Sequence, residues 1–219
     1  MSRAFIERVT ASNGSVFTGP GTNSYLIGNE DITLVDPGPK IDAHIEHLIN
    51  LGQGKIKRIL VTHTHRDHSP AAKVLGEMLE VPLMGRLLEK DDSLQDRTFK
   101  PDRILEHGDL IKTDEYTIET VHTPGHASNH LCYLIQEEKV MLTGDHIMNG
   151  STVVIAHPDG SMKDYLRNSG FYFFLKTMVS SFKGIKLNQK IKKPDLLFIW
   201  IPKTAGTTSL ISNMRCCSL

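Results

Sequence analysis

Apolar residues recur along this chain at two periods, and the changes of period mark its elements. In TNSYLIGNEDITLVD, residues 22–36, two β-rich runs flank Gly28-Asn29-Glu30-Asp31, which predicts two strands joined by a turn. The second run ends on Asp36, ahead of a Pro-Gly turn. Ile41, Ile45, Leu48 and Ile49 share one helical face, so a helix is expected over Ile41–Leu51. KRILVT, Lys57–Thr62, reads as a short buried strand. Pro70–Glu80 returns to helical spacing, and Val81–Met84 reads as a strand. Residues 89–103 are polar and read as loop or short helix. Strands are then expected near Tyr116–His122, Leu131–Gln136 and Lys139–Thr143, with turns at Pro124-Gly125 and Glu137-Glu138. Alternating helices and strands, followed by a run of strands, predict an α/β layered domain.

Charge divides the chain. The 219 residues carry 25 basic and 25 acidic side chains, so there is no overall pull toward nucleic acid or membrane. Residues 1–168 hold 17 basic and 24 acidic side chains, whereas residues 169–219 hold 8 and 1. A boundary is therefore expected near Asn168. No run of 18 uncharged apolar residues exists, and MSRAFIERVT lacks the apolar core of a secretory signal. Three cysteines, Cys132, Cys216 and Cys217, make no disulfide framework and fit a reducing, cytoplasmic setting.

All eleven histidines lie between His44 and His157, and three fall in VTHTHRDHS, Val61–Ser69. After a short strand, His63 and His65 sit two apart and are expected to face one way. Both imidazoles then reach one ion, while Asp67 and His68 reach a second point nearby. Zinc takes nitrogen and carboxylate ligands and, in catalytic sites, leaves a position for water. Two zinc ions about 3.5–4 Å apart can share one hydroxide.

The spacing His-x-His-x-Asp-His resembles the signature of the metallo-β-lactamase superfamily. LVDPG, TPGHA and LTGDH supply further matching positions at Asp36, His126 and Asp145. The resemblance spans residues 5–168. Within the superfamily, GTNSYLIG, THTHRDHS, TPGHASNHLCYLI and GDHIMNGSTVV are similar to the β-lactamase-like protein 2 group. It implies an αβ/βα sandwich and one zinc on His63, His65 and His126. It places a second zinc on Asp67 and His68, with Asp145 bridging and Asp36 bracing from outside. His122, His130 and His146 are not assigned as ligands, and His44, His47, His107 and His157 read as surface residues. The implied reaction is hydrolysis by a metal-activated hydroxide, with Asp67 or a metal-held water handling the proton. A thioester, ester or lactone, a β-lactam or a phosphodiester fits that chemistry. The partner is then a small-molecule ester or thioester, or single-stranded RNA; oligomeric state stays open.

The superfamily's final histidine is expected some 40–50 residues after the bridging aspartate. Ile185–Asp195 holds none, so the fold is expected to lack its last elements. Lys176–Lys193 carries six lysines and no acid and reads as a solvated linker. DLLFIWIPKTAGTTSL is similar to the phosphosulfate loop of sulfotransferases that bind PAPS. That likeness implies phosphate contacts at Lys203, Thr204, Gly206, Thr207 and Thr208. Three readings follow: a zinc hydrolase; an inactive or single-zinc binding protein from a truncated or fused reading frame; and a PAPS-binding sulfotransferase fragment.

Overall fold

The structure, a computed structural model, describes residues 5–88, 94–148 and 152–168. Among them ten strands form two sheets. The first runs in the order β1-β2-β3-β4-β5-β6 and the second β10-β9-β8-β7. Strands β1 (Ile6–Thr10), β2 (Asn23–Ile27) and β3 (Ile32–Val35) form an antiparallel meander. Strands β4 (Ile56–Leu60), β5 (Leu83–Gly85) and β6 (Arg103–Ile104) add in parallel. Parallel neighbours need crossovers, and α1 (Asp42–Gly52) and α2 (Pro70–Leu79) supply the first two. The second sheet, β7 (Leu110–Lys112), β8 (Thr117–His122), β9 (Leu131–Ile135) and β10 (Val140–Leu142), is antiparallel throughout.

Strand alternation builds two apolar layers. Leu34 and Ile59 face Ile45, Leu48 and Leu75 of the helices. Their neighbours Val35 and Leu60 face Ile118, Leu131, Tyr133 and Ile135 of the second sheet. Strands covered on both faces read as continuous apolar runs, which is why ITLV and RILV stand out in the sequence. The sheets are also tied by polar bonds. Tyr133 donates its hydroxyl to the Val61 carbonyl at 2.7 Å. At the other end Glu115 accepts backbone N–H groups of Asn29, Glu30 and Asp31 at 2.7–2.9 Å.

Several elements depart from the periodicity. Strand β1 is not predicted by the pattern, because IERVT is half-buried and carries two charges. Strands β6 and β7 have two and three residues, too few to show a period. Strand β4 stops at Leu60, two residues before the expected Thr62, because Asp36 takes over the Thr62 N–H at 2.7 Å. The helical stretch at 162–168 is also absent from the periodicity. His44 is buried rather than superficial: its Nε2 lies 3.0 Å from Ser24 Oγ, and its ring packs beneath Gly38. Among the described residues no helix is long and apolar enough to cross a membrane. The linker and the PAPS-like positions, Lys203, Thr204, Gly206, Thr207 and Thr208, lie outside the described residues, as does Ile185–Asp195.

Candidate metal centre

The carboxyl ends of β3 and β4 carry Asp36 and the loop 61–69. The β8–β9 turn brings His126 against that loop, and the 3-10 turn Gly144–His146 after β10 brings Asp145. His63 Nε2 and His126 Nε2 each lie 2.9 Å from His65 Nδ1. His68 Nε2 lies 3.3 Å from Asp67 Oδ2 and 3.4 Å from Asp145 Oδ1. Asp145 Oδ2 is 3.4 Å from His126 Nε2, so its two oxygens reach toward two groups of donors. One group is His63, His65 and His126; the other is His63, His68 and Asp145. His63 and His65 lie on the loop beyond β4, outside the strand alternation expected to make them face one way. Their convergence therefore comes from the turn of the loop rather than from strand alternation.

The hydrogen bonds fix which ring nitrogens are bare. Thr62 donates its hydroxyl to Asp36 Oδ2 at 2.7 Å, so Thr62 Oγ1 accepts from His63 Nδ1 at 3.0 Å. His126 Nδ1 faces the Val154 carbonyl, which only accepts. His68 Nδ1 faces Asp36 Oδ2 at 2.9 Å, also an acceptor. All three rings thus carry a proton on Nδ1; His63 and His126 turn a lone pair on Nε2 into the site, and His68 does so once it gives up its second proton. Lone pairs of His63 and His126 both point at His65 Nδ1, which has one proton at most to offer. The Nε2 of His68 meets two carboxylates. Such a set of facing donors fits a divalent cation, and the acceptors behind the rings are what orient metal-binding imidazoles.

The ionisation pattern agrees. Burial, reinforced by the surrounding imidazoles, pushes His63 well below its usual range. Burial lowers His65 to about 4. Burial also acts to lower His68, but Asp67, Asp145 and Asp36 outweigh it and raise the ring well above 6.5. Burial alone would raise Asp67 and Asp145; the adjacent His68 holds both carboxyls below their ordinary value. In the metal-free protein, then, a proton on His68 occupies the place suited to a cation.

Several residues brace the cluster, and of these Thr22 and Asp159 carry no signal in the sequence. Thr22 donates to Asp67 Oδ2 at 3.1 Å, tying the β1–β2 loop to the cluster. Asp36, at φ +49°, binds Thr62 and His68 from one carboxylate. Asp159 Oδ2 accepts from Gln95 Nε2 at 3.1 Å and from Ser128 N at 2.9 Å, and so clamps the His126 turn. Gly125 must be glycine there, since at φ +150° a Cβ would lie 2.5 Å from Tyr165 Cα. His146 is buried, its ring 5.3 Å from Tyr165 and 6.1 Å from His130, and it belongs to neither donor group. His122 gives its Nε2 to the Ser128 carbonyl at 2.9 Å. His47, His107 and His157 are exposed, as expected.

A family model described as the metallo-beta-lactamase superfamily matches residues 17–170. An atrochrysone carboxyl ACP thioesterase of Aspergillus chevalieri is 33% identical over 158 residues, covering 68% of this chain and 48% of the relative. One from Aspergillus novofumigatus is 32% identical over 154 residues, covering 68% and 46%. The chain thus spans about half the length of the curated relatives it matches. Among solved structures, the BLEG-1 B3 metallo-beta-lactamase superposes with a TM-score of 0.60 at 22% identity, covering 76% of this chain and 84% of that one. TTHA1623 in a di-iron-bound form gives 0.59 at 24% identity, covering 77% and 86%.

Proposed function

Because this chain belongs to the metallo-β-lactamase superfamily, we propose that it is a zinc-dependent hydrolase acting on an acyl thioester. The observation that carries this reading is the convergence of the His63, His65, His68 and His126 rings with the Asp67 and Asp145 carboxylates. His63, His65 and His126 would hold one zinc; His68 and Asp67 would hold the second, with Asp145 between them. Zinc in that position supplies Lewis acidity and lowers the pKa of its water from about 16 to about 7.

The chain's own groups do the rest. Asp36 keeps the proton of His68 on Nδ1, so that Nε2 stays turned inward. Thr22 fixes the rotamer of Asp67. Asp67, whose carboxylate faces the site, would take the proton of the attacking water. The thioester preference is supported by the names of the thioesterase relatives. RNA is less favoured, because residues 1–168 carry 24 acidic against 17 basic side chains and offer a phosphate chain no net attraction.

The test is metal analysis together with a panel of chromogenic thioester, ester and phosphodiester substrates. Two zinc ions per chain and thioester turnover that is lost to EDTA and restored by zinc are expected. Bound zinc without turnover of any substrate would make the protein a metal-binding module instead. Turnover of the phosphodiester alone would replace the thioester reading.

A further inference from the structure

His130 stands among the site histidines yet joins neither donor group. Its ring lies 5.0 Å from that of His63 and 6.2 Å from that of His126. The reason is a chain of hydrogen bonds whose direction is forced from one end. The Asp145 backbone N–H, which can only donate, donates to His130 Nε2 at 3.1 Å. That nitrogen therefore presents its lone pair, and in the neutral ring the proton sits on Nδ1. Nδ1–H then donates to Thr123 Oγ1 at 2.9 Å. The Thr123 hydroxyl passes its own proton toward Cys132 Sγ at 3.2 Å. The Cys132 thiol donates onward to the carbonyl of Thr143 at 3.5 Å. Thr143 lies two residues before Asp145, so the bonds leave the backbone at Asp145 and return to it at Thr143. Thr123, His130, Cys132 and Thr143 are all buried, which shields these bonds from bulk solvent.

We propose that His130 is a positioning residue for Asp145, acting through this closed, one-way ring. The proposal rests on the metal-centre reading for its consequence but not for its geometry. The ring fixes the peptide that carries Asp145, and with it the reach of both carboxylate oxygens toward His68 and His126. It also consumes the lone pair that would make His130 a ligand. His63, His68 and His126 have acceptors behind Nδ1 and nothing but the site in front of Nε2. His130 has an acceptor behind Nδ1 and a peptide N–H in front. Gly144 belongs to the same device: a Cβ there would sit 2.8 Å from His130 Nε2 and 3.0 Å from Thr62 Oγ1.

The experiment has two arms. In the metal-free protein, long-range proton–nitrogen spectra report the tautomer of His130; Nδ1–H with a bare Nε2 is expected, and an Nε2–H ring would overturn the proposal. The second arm titrates zinc against a chromophoric chelator. His130→Gln places an amide oxygen where Nε2 was and keeps the acceptor for Asp145. His130→Asn places its amide nitrogen where Nδ1 was, keeps the bond to Thr123 and loses Asp145. His130→Asn should weaken the second zinc equivalent by roughly 10–100-fold, with His130→Gln near the parent protein. Equal affinities for the two variants would overturn the proposal. A parent protein that binds no zinc would defeat the metal-centre reading, while the tautomer would still decide the ring.

Discussion

The first sheet delivers four donors from one loop, Val61–Ser69, whereas the second delivers His126 and Asp145 from two separate turns. The loop is organised locally. Asp36, at the end of the neighbouring strand, binds Thr62 and His68, and Thr62 in turn orients His63. The two turns have no such hub. His126 depends on Val154, Ser128 and Asp159 in a segment that follows it, and Asp145 depends on His130. A compact motif can hold its own geometry, but it cannot make a two-ion site until long-range packing presents the remaining donors.

The largest expected effect comes from the residue common to both donor groups. His63→Ala should lose most bound metal and reduce turnover on the order of 100-fold or more, as read by metal analysis and initial rates. Full metal occupancy in that variant would show that the two sheets do not share a centre. Next is the response of the metal-free protein to acid. Burial holds His65 and His146 at about 4, below the 6.5 of an unfolded chain. Unfolding therefore takes up protons between those values. Stability falls as pH drops from 6.5 to 4, by on the order of 1 kcal/mol for every tenfold rise in proton concentration. His68 does not oppose this, since its raised value makes its contribution complete below 6.5 and lost only as pH rises. Denaturant titrations at about pH 7 and about pH 4.5, with and without zinc, measure the difference; an unchanged metal-free midpoint would contradict it.

Asp159→Ala tests the second half alone. It strips the partner from two buried donors and should cost about 2–4 kcal/mol. The first zinc equivalent, which needs His126, should weaken; if only the second weakens, the clamp has been placed on the wrong turn. Glu115→Gln is the smallest change. It lies far from the centre, should cost about 1 kcal/mol at most because solvent screens the site, and should leave zinc binding intact. Its carboxyl is held at about 2, despite the opposing effect of burial, by backbone N–H groups of the facing turn. The parent should therefore lose that increment as pH falls from about 4.5 toward 2, and the variant should not.

The sequence is most readable where one period runs long enough. Both helices and strands β2, β3 and β4 lie within two residues of their expected bounds. Edge strand β1 and the short β6 and β7 are invisible in it, because pairing rather than composition makes them strands. His63, His65, Asp67 and His68 stand out from their spacing, and Asp36, His126 and Asp145 from the family resemblance; the fold brings them together. Their supports do not. Val154 acts through a carbonyl, which no side-chain pattern records, and Asp159 acts across 31 residues of chain. His44 escapes the pattern because a histidine beside an apolar helix face reads the same whether it turns out or, as here, in toward Ser24.

The left-handed backbone of Asp36 combines with its three hydrogen bonds to make that position hard to replace. Glycine would relax the peptide but leave the Thr62 amide, the Thr62 hydroxyl and the His68 ring pointing at empty space. Asparagine tolerates the same dihedral, yet turns an NH2 toward donors that need an oxygen. Glutamate keeps the charge and, as Glu80 shows, can adopt the bend, but its extra methylene carries both oxygens away from the Thr62 and His68 donors.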